Sequence, residues 1–296
     1  MKTTLPAIAI SLAAWAACAD DLSNTDAHDK TAYNLFQPTP DDLLRPITSS
    51  QYDDVIDAHT LDAGHLQVEA SLINVYTVSS HGGLPGFSYH DTATEFLWEP
   101  SFRLGLLNNV DFEVDPTYYD SSERFGASFT STFGTFAEHF TAHMSDFGNV
   151  TLGPKINLWG NDTGPTALAL RPILSVPTDY GEMLAGLDIP FDWKLPYGFY
   201  LKLDTQFGLA GVASRDRYGM FYNAVSIHKS LCSRVNAYWY LSSTVNSVSG
   251  TPWSGYTGFG LVGNVTHDLQ LFAGIGFGLN ITADTYNPRF GLIYRL

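Results

Sequence analysis

Charged residues recur at alternate positions through most of this chain, and their types suggest one kind of chemistry. Glu69, Glu95, Glu99, Asp111, Glu113, Asp115, Asp188, Asp192 and Asp204 supply acids; Arg103, Lys155, Arg171, Lys194, Lys202 and Arg234 supply bases. At period two these side chains share one face of successive strands. Turned into a closed sheet, that face is a polar lumen whose charges set selectivity for passing solutes. The same residues equally suit a filled interior of salt bridges that stiffens a narrow barrel. The inferred barrel width lies between side-chain-filled and open-channel sizes and does not choose between them.

Four other groups are of types that carry chemistry. Gly258, Gly260, Gly274, Gly276, Gly278 and Gly291 alternate with Phe259, Leu261, Ile275, Phe277, Phe290 and Leu292. They give the lumen a low-relief wall, with room for a ligand or an N-terminal segment, or with tight curvature as its purpose. Strict alternation within strands sets this apart from a phosphate-binding loop. Phe129, Phe133, Phe136 and Phe140, with Phe125, fall in the longest connection, 120–147, and are expected to form a constriction for apolar solutes. In the same stretch His139 and His143 have helical spacing, but no H-E-x-x-H order or third ligand accompanies them, so no metal is expected. Ser226 and His228 share a strand face, yet no orienting acid or oxyanion site is recognisable, and no catalytic residue is assigned.

The elements that must hold these groups are read from period two. Leu66, Val68, Ala70 and Leu72 oppose Gln67, Glu69 and Ser71; Val110, Phe112 and Val114 oppose Asp111, Glu113 and Asp115; Leu168, Leu170 and Leu174 oppose Ala169, Arg171 and Ser175. Twelve such segments run from residue 65 to 296, each near the roughly 9–11 residues of a tilted membrane strand. Short connections at 107–109, 160–164, 195–198, 230–233 and 266–268 alternate with longer ones at 79–92, 120–147, 177–185, 211–219, 246–254 and 280–287. The fold class is therefore all-β, an antiparallel up-and-down transmembrane β-barrel of about 12 strands. A soluble sandwich explains neither the loop asymmetry nor the charge along one face. The last strand, with Phe290, Leu292, Tyr294 and Leu296 in alternation, is of the kind the barrel-assembly machinery reads.

Composition narrows the function. After the first twenty residues no apolar run approaches the about 20 residues of a membrane helix. Charged residues are only 15% of the chain and aromatics 14%, which fits a barrel facing lipid. A net charge of −15 argues against nucleic acid as a partner. Lys2, the apolar stretch Leu5 to Trp15 and Ala17-Cys18-Ala19 read as a signal peptide over 1–19, which would leave Cys232 as the one cysteine. Residues 20–62, rich in Asp, Ser and Pro, read as an N-terminal extension, either a plug or a periplasmic segment, and 63–296 as the barrel.

Several phrases resemble a family of bacterial outer-membrane transporters labelled the putative MetA-pathway of phenol degradation family. They are Leu61-Asp62-Ala63-Gly64-His65-Leu66-Gln67-Val68-Glu69, Leu152 to Gly160, Leu174-Ser175-Val176-Pro177-Thr178 and Leu269 to Asn280. The family's Arg-Pro-Asp phrase is reduced here to Leu44-Arg45-Pro46 with scattered Asp53 and Asp57. The resemblance implies passive passage of small molecules, hydrophobic or aromatic ones among them, with no cofactor and no catalytic residues. The expected partners are outer-membrane lipid, the assembly machinery and a small solute. The alternatives are a structural or surface-interaction barrel with a closed lumen, and a lipid hydrolase.

Overall fold

The computed structural model describes residues 29–49, 51–84, 87–131, 134–178, 182–211, 217–251, 253–280 and 286–296; for 79–84, 87–90, 129–131, 134 and 136 it describes the backbone alone. The expected signal peptide, 1–19, lies outside the described residues.

Fourteen strand segments form one sheet: β1 (Leu66–Leu84), β2 (Phe87–Trp98), β3 (Ser101–Leu107), β4 (Val110–Ser131), β5 (Gly134–Trp159), β6 (Thr166–Pro177), β7 (Leu184–Asp188), β8 (Phe191–Leu195), β9 (Phe199–Ala210), β10 (Tyr218–Cys232), β11 (Val235–Asn246), β12 (Ser254–Asn264), β13 (Leu269–Gly278) and β14 (Asn287–Arg295). Two pairs of segments are single strands interrupted at Pro100 and Pro190, since proline has no amide hydrogen to give the ladder. Thus β2 and β3 both pair with β1 and β4, while β7 and β8 both pair with β6 and β9. Each strand is antiparallel to the next, and β14 pairs with β1 from Gln67↔Arg295 to Asn74↔Arg289. The result is a closed barrel of twelve strands.

Alternation puts apolar side chains outside and polar ones inside, the reverse of a soluble protein. Trp98, Phe102, Phe207, Trp239 and Phe259 are exposed, whereas Lys155 and Asp111 have no exposed surface at all. In β6, Ala167, Ala169, Arg171, Ile173 and Ser175 are buried, with Leu168, Leu170 and Leu174 on the opposite face. A closed sheet satisfies all of its backbone hydrogen bonds internally, so an apolar exterior of this kind belongs in lipid.

Two of the connections expected to be loops are not loops. β1 and β2 continue to Leu84 and Phe87, and β4 and β5 to Ser131 and Gly134, and β2 stays paired with β4 as far as Phe87↔Phe129, so the two hairpin ribbons lie side by side as one protruding four-stranded sheet. β4 has 22 residues and β5 has 26, about twice what a crossing requires. Outside the bilayer both faces meet water, so the inside–outside code is no longer needed there. The cross-strand aromatic pair Phe125↔Phe140 helps hold the ribbon together instead.

Residues 44–49 and 51–63 run inside the barrel, after a mostly exposed stretch, 31–43, that lies against the short-turn end at Leu106 and Leu107. Ser49 bonds Glu69 on β1, the Leu61 amide bonds Asp111 on β4, and the Ala58 amide bonds Asp192 on β8. Asp53 meets Lys202 on β9, Gln270 on β13 holds the Ile47 carbonyl, and Arg295 on β14 holds that of Arg45. A segment bonded to walls all around the barrel can only occupy the bore. It enters β1 through Gly64, at φ +82°, beside Gly105, where an added Cβ would run into the Asp62 carbonyl.

Candidate functional site

The lumen wall carries three clusters of opposed charge, and residues of the extension complete two of them. The first lies within the wall. Arg103 on β3 meets Asp111 at 2.9 Å, Glu113 at 3.0 Å and Glu69 at 3.5 Å. Glu113 also meets Lys155 at 2.7 Å and Arg171 at 2.6 Å, and Arg171 continues to Asp188 at 3.0 Å and to Asp115. Eight sequence-identified residues therefore form one network. Burying each ion costs several kcal/mol, and matched partners offset that cost.

The second cluster is built around Asp53 of the extension. Lys202 Nζ lies 3.1 Å from its Oδ1. The Ser226 hydroxyl donates to its Oδ2 at 2.7 Å, and His228 Nε2 lies 2.7 Å from that same oxygen. Burial opposes the charge on Asp53, but Lys202 and the His228 and Ser226 hydrogen bonds outweigh it and lower the carboxyl to about 2. A hydrolytic relay places serine on one imidazole nitrogen and the acid on the other. Here Ser226 and Asp53 both meet Nε2, and Asp53 also takes the serine proton, so the arrangement anchors the extension and activates no nucleophile.

In the third cluster His59 Nδ1 sits 2.9 Å from Asp57 and 3.0 Å from Asp192 on β8, whose Oδ2 also accepts the Tyr200 hydroxyl at 2.9 Å. These are the only histidine and carboxylate ligand atoms that converge in a group of three among the described residues. Burial disfavours a charged His59, yet Asp57 and Asp192 raise it to about 9. The trio is an ion-paired anchor that ties the extension to β8.

The remaining sequence-identified residues are dispersed. Asp204 on β9 is buried beside the Ile56 amide. Glu99, in the gap between β2 and β3, faces Asn74 at 3.5 Å. Glu95 pairs with Tyr76 in register on β2. Lys194 lines a cavity at the short-turn end. Arg234 lies in the β10–β11 turn, one residue before the strand expected to carry it. His139 and His143 stand on a strand rather than a helix, so four residues separate them by about 13 Å; His143 pairs with Asp120 instead.

The glycine wall supports aromatic rings. A Cβ on Gly258 would strike the Tyr240 ring, one on Gly276 the Tyr240 hydroxyl, one on Gly260 or Gly274 the Tyr238 hydroxyl, and one on Gly291 the Phe272 ring. Gly278 lies opposite Tyr256. On this bed Tyr52 of the extension packs 5.1 Å from Tyr238 and 5.9 Å from Phe272, centroid to centroid. Of the aromatic constriction, Phe125 and Phe140 are exposed on the β4–β5 ribbon. Phe133, and the side chains of Phe129 and Phe136, lie outside the described residues.

Two cavities flank the extension. One, of about 640 Å³, opens at the short-turn end and is lined by Lys30, Arg45, Tyr52, Asp57, Lys194 and Lys202 among others. The other, of about 330 Å³, lies toward the ribbons beside Asp54 and Ile56. Asp53 and Val55, fully buried, lie in the stretch that separates them.

Sequence reasoning named Asp53, Asp57 and Asp62 only within family-like phrases and gave no partner to the extension's anchors Asp53, Asp54 and His59, nor to Asp57 and Asp62, which brace the extension from within through His59, Lys30 and Arg45. Their density of aspartate was visible, but no helix or strand period marked their targets. It also missed Arg289 and Arg295, which share the inward parity of Gly291 and could have been found by it. Arg289 pairs with Asp54 at 3.1 Å, and Arg295 bonds Asp268 at 2.9 Å.

The barrel is similar in fold to an outer membrane channel from Pseudomonas putida F1, with a TM-score of 0.52 and 14% identity over 84% of this chain and 100% of that one. The transport unit of the autotransporter AIDA-I from Escherichia coli aligns with a TM-score of 0.49 and 10% identity over 86% and 93%. No curated protein matches the chain. The family model described as "Putative MetA-pathway of phenol degradation" matches residues 51–296, so this outer-membrane β-barrel belongs to that family.

Proposed function

We propose that the protein is an outer-membrane channel for passive passage of small molecules, hydrophobic or aromatic ones among them, and that the part of the N-terminal extension inside the bore acts as its plug. The observation that carries this reading is the manner in which the extension is held. Its contacts to the wall are mostly hydrogen bonds and ion pairs, made by Asp53, Asp54, His59 and Arg45, with cavities on either side. Polar partners of that kind can exchange with water as the segment moves, whereas an apolar core could not be opened without exposing its surface. The aromatic solute class comes from the family description alone.

Reconstitution in planar bilayers tests the proposal. Removal of residues 29–62 should raise single-channel conductance several-fold relative to the full chain. A second reading, a closed structural barrel, is favoured by the tightness of the Glu113 and Asp53 networks. It predicts no solute flux from the intact chain under any condition, and flux in liposomes loaded with small aromatic acids and alcohols decides between the two.

A further inference from the structure

Asp204 has an unusual position on the inner wall. It is 2% exposed and lies beside the Ile56 amide, but its Oδ1 is buried with no hydrogen-bond partner among the described residues. Asp188 repeats the pattern on the neighbouring β7: fully buried, with Arg171 on Oδ2 and the Gln206 side chain beside the carboxyl, but with Oδ1 lacking a direct hydrogen-bond partner among the described residues. Both residues line the cavity of about 330 Å³ on the ribbon side of the extension. A buried acceptor left without a donor is costly, more so when it is charged.

The rest of the cavity wall indicates what donor would suit. Asp54 and Arg289 neutralise one another, and Arg171 is already shared by Glu113, Asp115 and Asp188. Glu99 adds a further carboxyl, and among the described residues neither it nor Asp204 forms an ion pair. The cavity is thus net acidic, which disfavours an anion. Nor do any three of these carboxyls converge as a metal ion requires, since among the described residues only Asp57, His59 and Asp192 do so. Tyr76, Tyr222 and Tyr256 supply aromatic surface, with Tyr76 and Tyr256 edge to face at 6.4 Å. Rings beside a carboxylate suit a cation that carries an apolar body.

We propose that this cavity binds a small organic ammonium ion, its N–H groups donating to Asp204 and Asp188 and its apolar part lying among Tyr76, Tyr222 and Tyr256. The proposal names a solute class for the channel and rests on that reading for its physiological use. A solute arriving from the ribbon side would meet this site immediately before the extension.

Calorimetric titration of the full-length protein in detergent tests it with three probes of similar shape: 2-phenylethylammonium, 2-phenylethanol and 3-phenylpropionate. The ammonium should bind about tenfold more tightly than the alcohol, as a charge-assisted hydrogen bond implies, with the carboxylate weakest. Asp204→Asn should remove that preference. Equal binding of the three probes, or an Asp204→Asn protein that keeps the wild-type preference, overturns the site. The three-probe comparison on the wild type decides the matter even if the variant does not fold. Ammonium-selective binding without solute flux in bilayers supports the site and defeats the channel reading. Flux without any preference among the probes does the reverse.

Discussion

Lys202 and Asp53 meet inside the barrel with Nζ 3.1 Å from Oδ1, one residue standing on the wall and the other on the segment threaded through it. Lys202 also donates to the Ser49 carbonyl at 3.0 Å and lies 5.4 Å from the centre of the Tyr52 ring. One wall residue thereby fixes three residues of the extension, Ser49, Tyr52 and Asp53. Its ammonium has no exposed surface to speak of, so its loss would leave Asp53 buried beside only neutral donors and His228.

Lys202→Met should therefore loosen the extension without opening the barrel wall. Removing one partner of a buried ion pair costs about 3–5 kcal/mol. Amide exchange should accelerate across residues 49–57, and conductance should rise. Lys202→Met combined with Asp53→Asn should recover part of the protection, because no uncompensated charge then remains. Unchanged exchange in the single variant would show that other anchors hold the segment.

Two anchors titrate in opposite directions and define a pH window. His59 is raised from 6.5 to about 9, so its contribution to docking is complete below about pH 6.5 and is lost as pH rises through about 9. Asp53 is lowered from 3.8 to about 2, so its contribution is complete above about pH 4 and is lost as pH falls through about 2. The extension should be held most firmly from about pH 4 to 6.5. Conductance measured from pH 5 to 10 should stay low at first and climb toward pH 9–10, and His59→Gln should flatten that climb. A profile that falls with rising pH would contradict the assignment.

The wall was legible in the sequence because a closed barrel obeys one local rule. Alternation from Leu66 to Leu296 gave twelve strands, and parity alone turned Glu113, Lys155, Arg171 and Asp188 inward, where they form a single network. The rule fails where its cause is absent. Beyond the bilayer, β4 and β5 pair through Phe125 and Phe140 with no need for an inside face, so the ribbon read as a loop. Within the bore the extension has almost no regular structure, and the partners of Asp53, at Lys202 and His228, lie some 150 residues or more away in sequence. Such pairs depend on closure of the barrel, which no local period encodes.

The glycine wall yields a double-mutant test. An added Cβ on Gly276 would lie 2.5 Å from the Tyr240 hydroxyl oxygen and meet nothing else closer than 3.7 Å. That hydroxyl has no hydrogen-bond partner among the described residues. Gly276→Ala should destabilise the barrel by about 1–3 kcal/mol through overpacking, and Tyr240→Phe alone should be nearly neutral. Together they should be more stable than Gly276→Ala, because the clashing atom has gone. Urea unfolding in lipid vesicles measures all four proteins of the cycle. Additive effects would mean that the ring does not rest on the glycine.

Glu113 is the hub of the wall network, within 3.0 Å of Arg103, Lys155 and Arg171 alike. The two arginines have other acids, Asp111 and Asp188, but Lys155 forms no second ion pair among the described residues. Glu113→Gln should accordingly strand Lys155 and lower barrel stability by about 3–5 kcal/mol, as breaking a buried pair does. Lys155→Met in the same chain should restore most of the loss, since a methionine fills similar volume without charge. Asp111→Asn, which leaves Arg103 with Glu113 and Glu69, should cost less than Glu113→Gln. This order of stabilities, read by heat-dependent unfolding on gels, separates a network with one central acid from a set of independent pairs, for which the two single substitutions would weigh the same.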